Sequence, residues 1–427
     1  MTSLEIRNGR VVDPASGFDG AATVRIEDGR IAAMGAAASG ARADRVIDAA
    51  GLVVAPGLVD LAARLREPGL EYKATMESEV AAAIAGGVTT LSCPPDTDPP
   101  LDEPALVEML KHRARLIDRV HVYPLGALTV GLGGEQITEM GELAEAGCVA
   151  FSHADAPLQD TQVMLRAMQY AATFGHAVWL RPQDVYLGRG GVAHEGEVAT
   201  RLGLPAIPAI AETIALTTIL TLVRETRVRM HVCRLSTAGA VAMIAEAKRE
   251  GLPVTCDVAV HHLHLCDVDI GWFDAEAHLV PPLRGARDRA ALRAGVANGT
   301  IDAICSDHTP VDDDAKQLPF AESEAGATAL ELLLPLVLKW SGDDRVDLAR
   351  ALAAVTSVPA RILGVEAGTL AVGAPADLCV FDPARAWRVE PAALRSQGRN
   401  TPFAGYEITG RVTHTILGGK VVYELAG

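Results

Sequence analysis

Hydrophobic and polar positions follow two different patterns along the chain. Near both ends, short runs of alternating apolar and polar residues are separated by Asn-Gly, Asp-Gly or Gly-Gly turns, at residues 4–12, 23–31, 377–381 and 413–423. Alternation with a period of two, interrupted by such turns, predicts β-hairpins. We therefore expect the two termini to form β-rich segments that meet in one small β-sandwich subdomain.

The long middle of the chain alternates helical and strand patterns instead. Helical periodicity over residues 161–174 is followed by an apolar run at 177–180, and the pair 238–250 and 252–255 repeats this order. Such alternation predicts βα units and a parallel sheet. Periodicity alone leaves two architectures open, a closed (β/α)8 barrel and an open doubly wound sheet.

Length and composition agree with a large buried core. The chain has 427 residues, of which 49% are hydrophobic and only 4% aromatic, so the core consists mainly of Ala, Val, Leu and Ile, the residues that fill parallel barrels. A barrel of roughly 250 residues with an added subdomain fits this length.

The charge and the remaining composition exclude several classes of function. A net charge of -16 without any basic run argues against a nucleic-acid surface. We find no export signal and no apolar run long enough to span a membrane, and the seven cysteines are scattered, which is typical of reduced core residues. We therefore expect a cytoplasmic protein that binds neither nucleic acid nor membrane.

The most specific signal lies at residues 53–69, an apolar strand that ends in a charged loop. Pro-Gly-Leu-Val-Asp at 56–60, followed by Leu-Arg-Glu-Pro-Gly at 65–69, resembles the signature of the dihydroorotases, metal-dependent cyclic amidases of the amidohydrolase superfamily. This resemblance spans nearly the whole chain and implies an α/β fold, a distorted TIM (β/α)8 barrel over residues 53–365. Residues 1–52 and 366–427 would then form the β-sandwich subdomain.

The resemblance also identifies the positions that hold the metal in this family: a His-x-His pair, a bridging acidic or carboxylated residue, two further histidines and a late aspartate. The matching positions here are Ala62, Arg64, His153, Arg181, Arg234 and Asp307. Only Asp307 keeps the residue of the family. The resemblance therefore implies no catalytic residue beyond Asp307 as a remnant, and no bound metal.

Arginine at a ligand position opposes metal binding for a physical reason. A zinc ligand must offer a lone pair, whereas a guanidinium stays protonated and accepts no bond. At ~6 Å and an effective dielectric of ~20, one guanidinium repels a divalent cation by about 5 kcal/mol. Three such groups would remove most of the roughly 10–16 kcal/mol with which structural zinc binds.

Substrate positions of the family are only partly kept. Arg66 matches the arginine that holds a substrate carboxylate, and His308 matches a histidine on the substrate side, so both are expected in a substrate-like pocket. Asp96 and Val280 stand where the family has asparagines, and Val311 stands where it has a histidine.

A buried aspartate without a metal needs another counter-charge. An unpaired carboxylate in the interior is costly, so we expect Arg64, Arg181 or Arg234 to form a hydrogen bond with Asp307 or Asp155.

Three functions remain open. The first is a catalytically inactive dihydroorotase-like protein of pyrimidine biosynthesis, resembling the non-catalytic chains that assemble with the aspartate carbamoyltransferase catalytic chain, in a homo-oligomer or hetero-oligomer. The second is an active zinc-dependent dihydroorotase, which cyclises N-carbamoyl-aspartate reversibly to dihydroorotate. The third is a non-catalytic sensor that binds an anionic pyrimidine precursor through Arg66 and the pocket arginines.

The second function would need a shifted metal site. Its candidate ligands are His153, Asp155, Asp307, His308, His231 and the histidines at 261, 262 and 264. The competing interpretation is that these histidines are core residues with satisfied hydrogen bonds.

Overall fold

The computed structural model describes residues 3–38 and 43–426 of the chain. Its strands are β1 (Ser3–Asp13), β2 (Phe18–Glu27), β3 (Arg30–Met34), β4 (Arg45–Asp48), β5 (Val53–Pro56), β6 (Leu58–Asp60), β7 (Val88–Cys93), β8 (His121–Ala127), β9 (Ala150–Ser152), β10 (Ala177–Leu180), β11 (Ala193–His194), β12 (Ala206–Ile207), β13 (Arg229–Val232), β14 (Val254–Ala259), β15 (Ala303–Cys305), β16 (Leu378–Arg388), β17 (Glu407–Leu417) and β18 (Lys420–Glu424). Its helices are α1 (Met76–Ala85), α2 (Pro104–Ile117), α3 (Met140–Ala146), α4 (Thr161–Phe174), α5 (Glu197–Leu202), α6 (Ile210–Thr226), α7 (Ala238–Arg249), α8 (Ala286–Asn298), α9 (Leu333–Asp344), α10 (Leu348–Ala353) and α11 (Ser357–Leu363).

The two termini meet in one sheet, as their alternating pattern predicts. Its order is β18-β17-β16-β5-β1-β2-β3, with β4 added alongside β1. Ile31, near one edge of this order, and Ile416, near the other, belong to the same buried apolar cluster. The sheet therefore folds over its own core, which is separate from the core of the barrel.

The middle of the chain forms a barrel of parallel strands surrounded by helices, in the order β6-β7-β8-β9-β10-β13-β14-β15. The first and last strands meet just beyond their ends, where the amide of His308 donates to the carbonyl oxygen of Ala62 (3.0 Å) and the amide of Arg64 donates to that of His308 (2.9 Å). The TIM-barrel expectation is confirmed.

The barrel begins at Leu58 rather than at Val53. Strand β5, which the sequence pattern joins to the barrel, pairs with β1 and β16 of the terminal sheet instead. Gly57 lies between the two sheets, where a Cβ atom would come within 2.1 Å of the Thr89 hydroxyl oxygen. Only glycine allows the chain to pass this close to the neighbouring strand.

Capping residues begin the helices that follow the barrel strands. Asp160 accepts hydrogen bonds from the amides of Gln162 (2.7 Å) and Val163 (3.2 Å) at the start of α4. Thr237 accepts one from Ala240 (3.2 Å) at the start of α7. These caps satisfy free amides at the helix ends and thereby fix where each strand-to-helix loop stops.

Within the described residues, no helix is long and apolar enough to cross a membrane. All seven cysteines are free, and each of them except Cys233 is buried.

Candidate functional site

Charged side chains follow several barrel strands at the point where each strand ends. Arg64 comes after β6, Asp155 after β9, Arg181 after β10, Arg234 after β13 and Asp307 after β15. The carboxyl ends of parallel barrel strands share one rim. The fold therefore brings these five groups together at the mouth of the barrel.

Asp155 binds three guanidinium groups at once. Its Oδ1 accepts from Nε of Arg181 (2.6 Å) and Nη2 of Arg234 (2.6 Å), and its Oδ2 accepts from Nη2 of Arg64 (2.6 Å). The arginine side chains are only 4–6% exposed, whereas that of Asp155 is 33% exposed. Burial alone would raise the pKa of Asp155, but the three arginines outweigh it and hold that pKa well below its usual range.

Asp307 accepts hydrogen bonds from two of the same arginines. Its Oδ1 accepts from Nη1 of Arg234 (2.8 Å) and, at a longer distance, from Nη1 of Arg64 (3.4 Å). Burial raises the pKa of Asp307 to about 6, against the opposing effect of both arginines. The expectation that an arginine pairs with Asp307 or Asp155 is confirmed, and Arg64, Arg181 and Arg234 all take part.

A third carboxylate completes the arrangement. Asp96 accepts from Nε of Arg64 (2.7 Å), and Thr309 accepts from its Nη1 (2.8 Å). We call this set the arginine–aspartate cluster; its members are Arg64, Arg181, Arg234, Asp96, Asp155 and Asp307. Three cations face three carboxylates. The role of Asp96 was not predicted, although the sequence carries a signal for it: by resemblance, Asp96 replaces an asparagine of the family and Arg64 replaces a histidine.

The side chains at the family's ligand positions do not fit a metal ion. Ala62 and the cluster arginines offer no lone pair. His153 uses both ring nitrogens elsewhere, Nε2 with the Thr129 hydroxyl (2.8 Å) and Nδ1 with the Ala156 carbonyl oxygen (2.8 Å). In residues 3–38 and 43–426, no group of three or more His, Cys, Asp or Glu side chains is placed to hold a metal ion.

The histidines proposed for a shifted metal site have different surroundings. His231 is satisfied by the Thr255 hydroxyl (2.8 Å) and Asp257 (3.0 Å). His261 is buried with neither ring nitrogen hydrogen-bonded, and Nδ1 of His262 also lacks a partner. The expectation of satisfied core histidines is therefore correct for His231 and wrong for His261. Burial lowers the pKa of His261 to about 3, so its ring remains neutral.

His308 does not lie in a substrate-like pocket, so this prediction is wrong. Its side chain is fully buried, with Nε2 2.5 Å from Glu79 Oε2, and its Nδ1 accepts from the amide of Ala329 (3.1 Å). The bridge between Ala63 and His308 holds this residue in the barrel wall, where Glu79 of α1 binds it. It is a structural residue.

The guanidinium of Arg66 also interacts mainly with other groups of the chain. Its Nε donates to the carbonyl oxygen of Pro310 (2.8 Å), its guanidinium lies 3.9 Å from Glu324, and its side chain is 7% exposed. The structure thus places Arg66 beside the arginine–aspartate cluster with its charge turned toward a carboxylate of the chain.

Several residues at the barrel mouth have a left-handed backbone conformation. The φ angles are 60° at Arg66, 49° at Ala154, 54° at Arg234 and 50° at Asp307. A left-handed backbone conformation costs a non-glycine residue about 1–3 kcal/mol, and residues with this conformation concentrate at functional sites. At Arg234 a hydrogen bond from its amide to Asp257 (2.5 Å) helps to hold this conformation.

Comparison with known proteins gives consistent matches over the whole chain. The model of a family described as "Dihydro-orotase-like" matches residues 51–240, and that of the "Amidohydrolase family" matches residues 194–422. A dihydroorotase-like protein of Pseudomonas aeruginosa is 46% identical over 422 residues, covering 99% of this chain and 100% of the relative. A protein of Anaeromyxobacter dehalogenans named dihydroorotase is 44% identical over 423 residues, covering 99% and 98%.

Among solved structures, the L-hydantoinase (dihydropyrimidinase) of Arthrobacter aurescens superimposes with a TM-score of 0.88 at 25% identity. The match covers 99% of this chain and 96% of the hydantoinase. The barrel and the terminal sheet are thus both shared with that protein.

Proposed function

The chain belongs to the dihydroorotase-like proteins of the amidohydrolase family, and we propose that it is a catalytically inactive member that acts as a structural partner of an aspartate carbamoyltransferase catalytic chain in pyrimidine biosynthesis. The observation that carries the first half of this proposal is the arginine–aspartate cluster. It fills the barrel mouth with guanidinium groups at the positions where the family has metal ligands.

The lost chemistry follows from what a metal supplies in this family. A bound zinc ion acidifies a water molecule and polarises the amide carbonyl. Arg64, Arg181 and Arg234 can do neither as ligands, because they have no lone pair. Asp155 and Asp307, the cluster carboxylates that follow β9 and β15, already accept hydrogen bonds from these arginines. We therefore propose that the chain has no dihydroorotase activity and no zinc cofactor.

The second half of the proposal rests on analogy with non-catalytic chains of this family and on what the protein retains. The chain keeps the full barrel, the terminal sheet and the length of its relatives. A protein that keeps the whole fold but lacks the metal ligands can still bind a partner protein through its surface. Support for assembly comes from this combination, and the partner is identified only by family analogy.

Co-expression with the aspartate carbamoyltransferase of the same organism tests assembly. We expect a complex larger than either protein, with higher transcarbamoylase activity or greater resistance to dissociation on dilution. Asp307→Ala should leave this effect intact, because the contribution is structural. A transcarbamoylase that is fully assembled and active alone, and that does not co-elute at micromolar concentration, would contradict the proposal.

A second candidate is favoured by the relatives named dihydroorotase at 44% identity. It is a zinc-dependent enzyme that interconverts N-carbamoyl-aspartate and dihydroorotate. Hydrolysis of dihydroorotate by the purified chain, lost on Asp307→Asn, would support it. A sensor of an anionic precursor would instead show a thermal shift with dihydroorotate or carbamoyl-aspartate and no turnover.

A further inference from the structure

A cavity opens at the end of the barrel opposite to the arginine–aspartate cluster. It lies at the beginnings of β10, β13 and β14 and is bordered on one side by α11. Its volume is about 280 Å³. This is just below the usual size range of small-molecule sites, roughly 300–1,000 Å³, and therefore suits a small ligand.

The walls of this basal cavity are mainly apolar. They are formed by the side chains of Ala177, Met230, Leu252, Pro253, Val254 and Ile362. The buried ring of Trp179 contributes to its inner side. A ligand body in contact with these walls gains by being apolar, because its surface is removed from water.

Two arginines give the basal cavity its charge. Arg229, at the start of β13, donates to the carbonyl oxygen of Gly175 (2.5 Å), and Arg361 lies on the exposed side of α11. Within the part of the chain that the structure describes, neither arginine forms an ion pair with a carboxylate.

The other polar side chains of the cavity are His231, Thr255 and Trp179, and of these Nε1 of Trp179 is buried without a hydrogen-bond partner. Both ring nitrogens of His231 are bonded, to Thr255 and to Asp257. Recognition of a charged ligand therefore falls to Arg229 and Arg361. A planar guanidinium binds a carboxylate in a two-point fork, which makes this the anion that the site fits best.

We propose that the basal cavity binds a small monocarboxylate with an apolar body, of the size of a benzene ring or a short alkyl chain. The carboxylate lies between Arg229 and Arg361, and the apolar body lies against Met230, Ile362 and Trp179. None of these residues belongs to the arginine–aspartate cluster. The inference is thus independent of the proposed function.

Titration of the full-length protein with benzoate tests the site, followed by calorimetry and by tryptophan fluorescence. Benzyl alcohol is the matched probe without the charge. We expect benzoate to bind and to change the fluorescence, and benzyl alcohol to bind at least about fivefold more weakly, since a charged hydrogen bond is lost. Added sodium chloride should weaken benzoate binding.

Arg361→Gln and Arg229→Gln should each weaken benzoate binding by about fivefold to tenfold. Both residues are exposed, so the variants are expected to fold. Arg287→Gln, at an exposed position of α8, is the matched control and should bind benzoate as the wild type does. Trp179→Phe should remove the fluorescence response, which locates the ligand.

Three results would each overturn the inference. One is the absence of benzoate binding at millimolar concentration. Another is equal affinity for benzoate and benzyl alcohol, which would indicate an apolar cavity without anion recognition. The third is unchanged benzoate affinity in both Arg361→Gln and Arg229→Gln.

Discussion

Nη1 of Arg234 lies 2.8 Å from Oδ1 of Asp307 at the mouth of the barrel. Both residues have a left-handed backbone, with φ angles of 54° and 50°. In the sequence resemblance to the dihydroorotases, Asp307 matches a metal-ligand aspartate and Arg234 matches a metal-ligand histidine. The counter-charge of Asp307 is therefore a guanidinium of the chain itself.

The first prediction concerns the stability that Asp155 provides. Asp155→Asn leaves Arg64, Arg181 and Arg234 without their shared counter-charge in a poorly solvated site. We expect the free energy of unfolding to fall by about 2–4 kcal/mol, because breaking a buried ion pair from one side leaves uncompensated charge. Urea denaturation at neutral pH measures this change.

Asp19→Asn is the matched control for this substitution. Asp19 forms a single pair with Arg10 at a site where the two side chains are 33% and 51% exposed. Exposed pairs contribute about 0–1 kcal/mol, so this variant should remain close to the wild type. An Asp155→Asn protein as stable as Asp19→Asn would show that the arginines are compensated in another way.

The second prediction concerns pH. Burial raises the pKa of Asp307 to about 6, above its value of about 3.9 in an unfolded chain. Between these two values the native state binds more protons than the unfolded state, so the contribution of Asp307 to stability decreases as pH rises through this window. Asp307→Asn cannot ionise and lacks this dependence.

The stability of the wild type relative to Asp307→Asn should therefore decrease between pH 4 and pH 7, by about 1–3 kcal/mol. Denaturation curves of both proteins at several pH values measure the difference. A difference that stays constant above pH 5 would mean that the arginines keep Asp307 ionised and that burial does not dominate its pKa.

The third prediction is that lost metal ligands can be restored. Replacing Ala62, Arg64, Arg181 and Arg234 together with histidine removes three cations and adds four lone-pair donors beside Asp307. We expect this variant to bind zinc at least about 100-fold more tightly than the wild type, since repulsion of several kcal/mol is removed. Isothermal titration calorimetry with zinc measures the affinity of both proteins.

A variant in which Arg64, Arg181 and Arg234 are replaced with alanine separates the effect of removing the repulsion from the effect of adding ligands. It removes the repulsion without adding ligands, so it should bind zinc far more weakly than the histidine variant. Equal zinc affinity of the wild type and the histidine variant would contradict the proposal that arginine excludes the metal.

Local patterns predicted much of the fold. The helix expected at 161–174 and the strand expected at 177–180 are α4 (Thr161–Phe174) and β10 (Ala177–Leu180). The ends of these elements are set by residues nearby in the sequence; Asp160, for example, caps the start of α4. Strand β5 (Val53–Pro56) could not be assigned in this way, because its pairing with β1 and β16 depends on partners distant in sequence.

The part of the site that could be predicted from the sequence is the pairing of Asp307 with an arginine, because it follows from charge balance alone. A buried Asp307 needs a cation, and arginines at neighbouring strand ends were the available ones. Electrostatics did not reveal that one carboxylate, Asp155, would bind three arginines, since that depends on side-chain geometry. The role of His308 was equally hidden, because its partner Glu79 comes from a distant helix. The unpaired nitrogens of His261 have no sequence signal at all.

The most direct test of the central claim is the zinc content of the wild-type chain, measured by elemental analysis after purification without chelators in zinc-supplemented medium. We expect far less than one zinc ion per chain, because guanidinium groups stand at the positions that the resemblance matches to the family's metal ligands. Near-stoichiometric zinc that is lost on Asp307→Asn would contradict it.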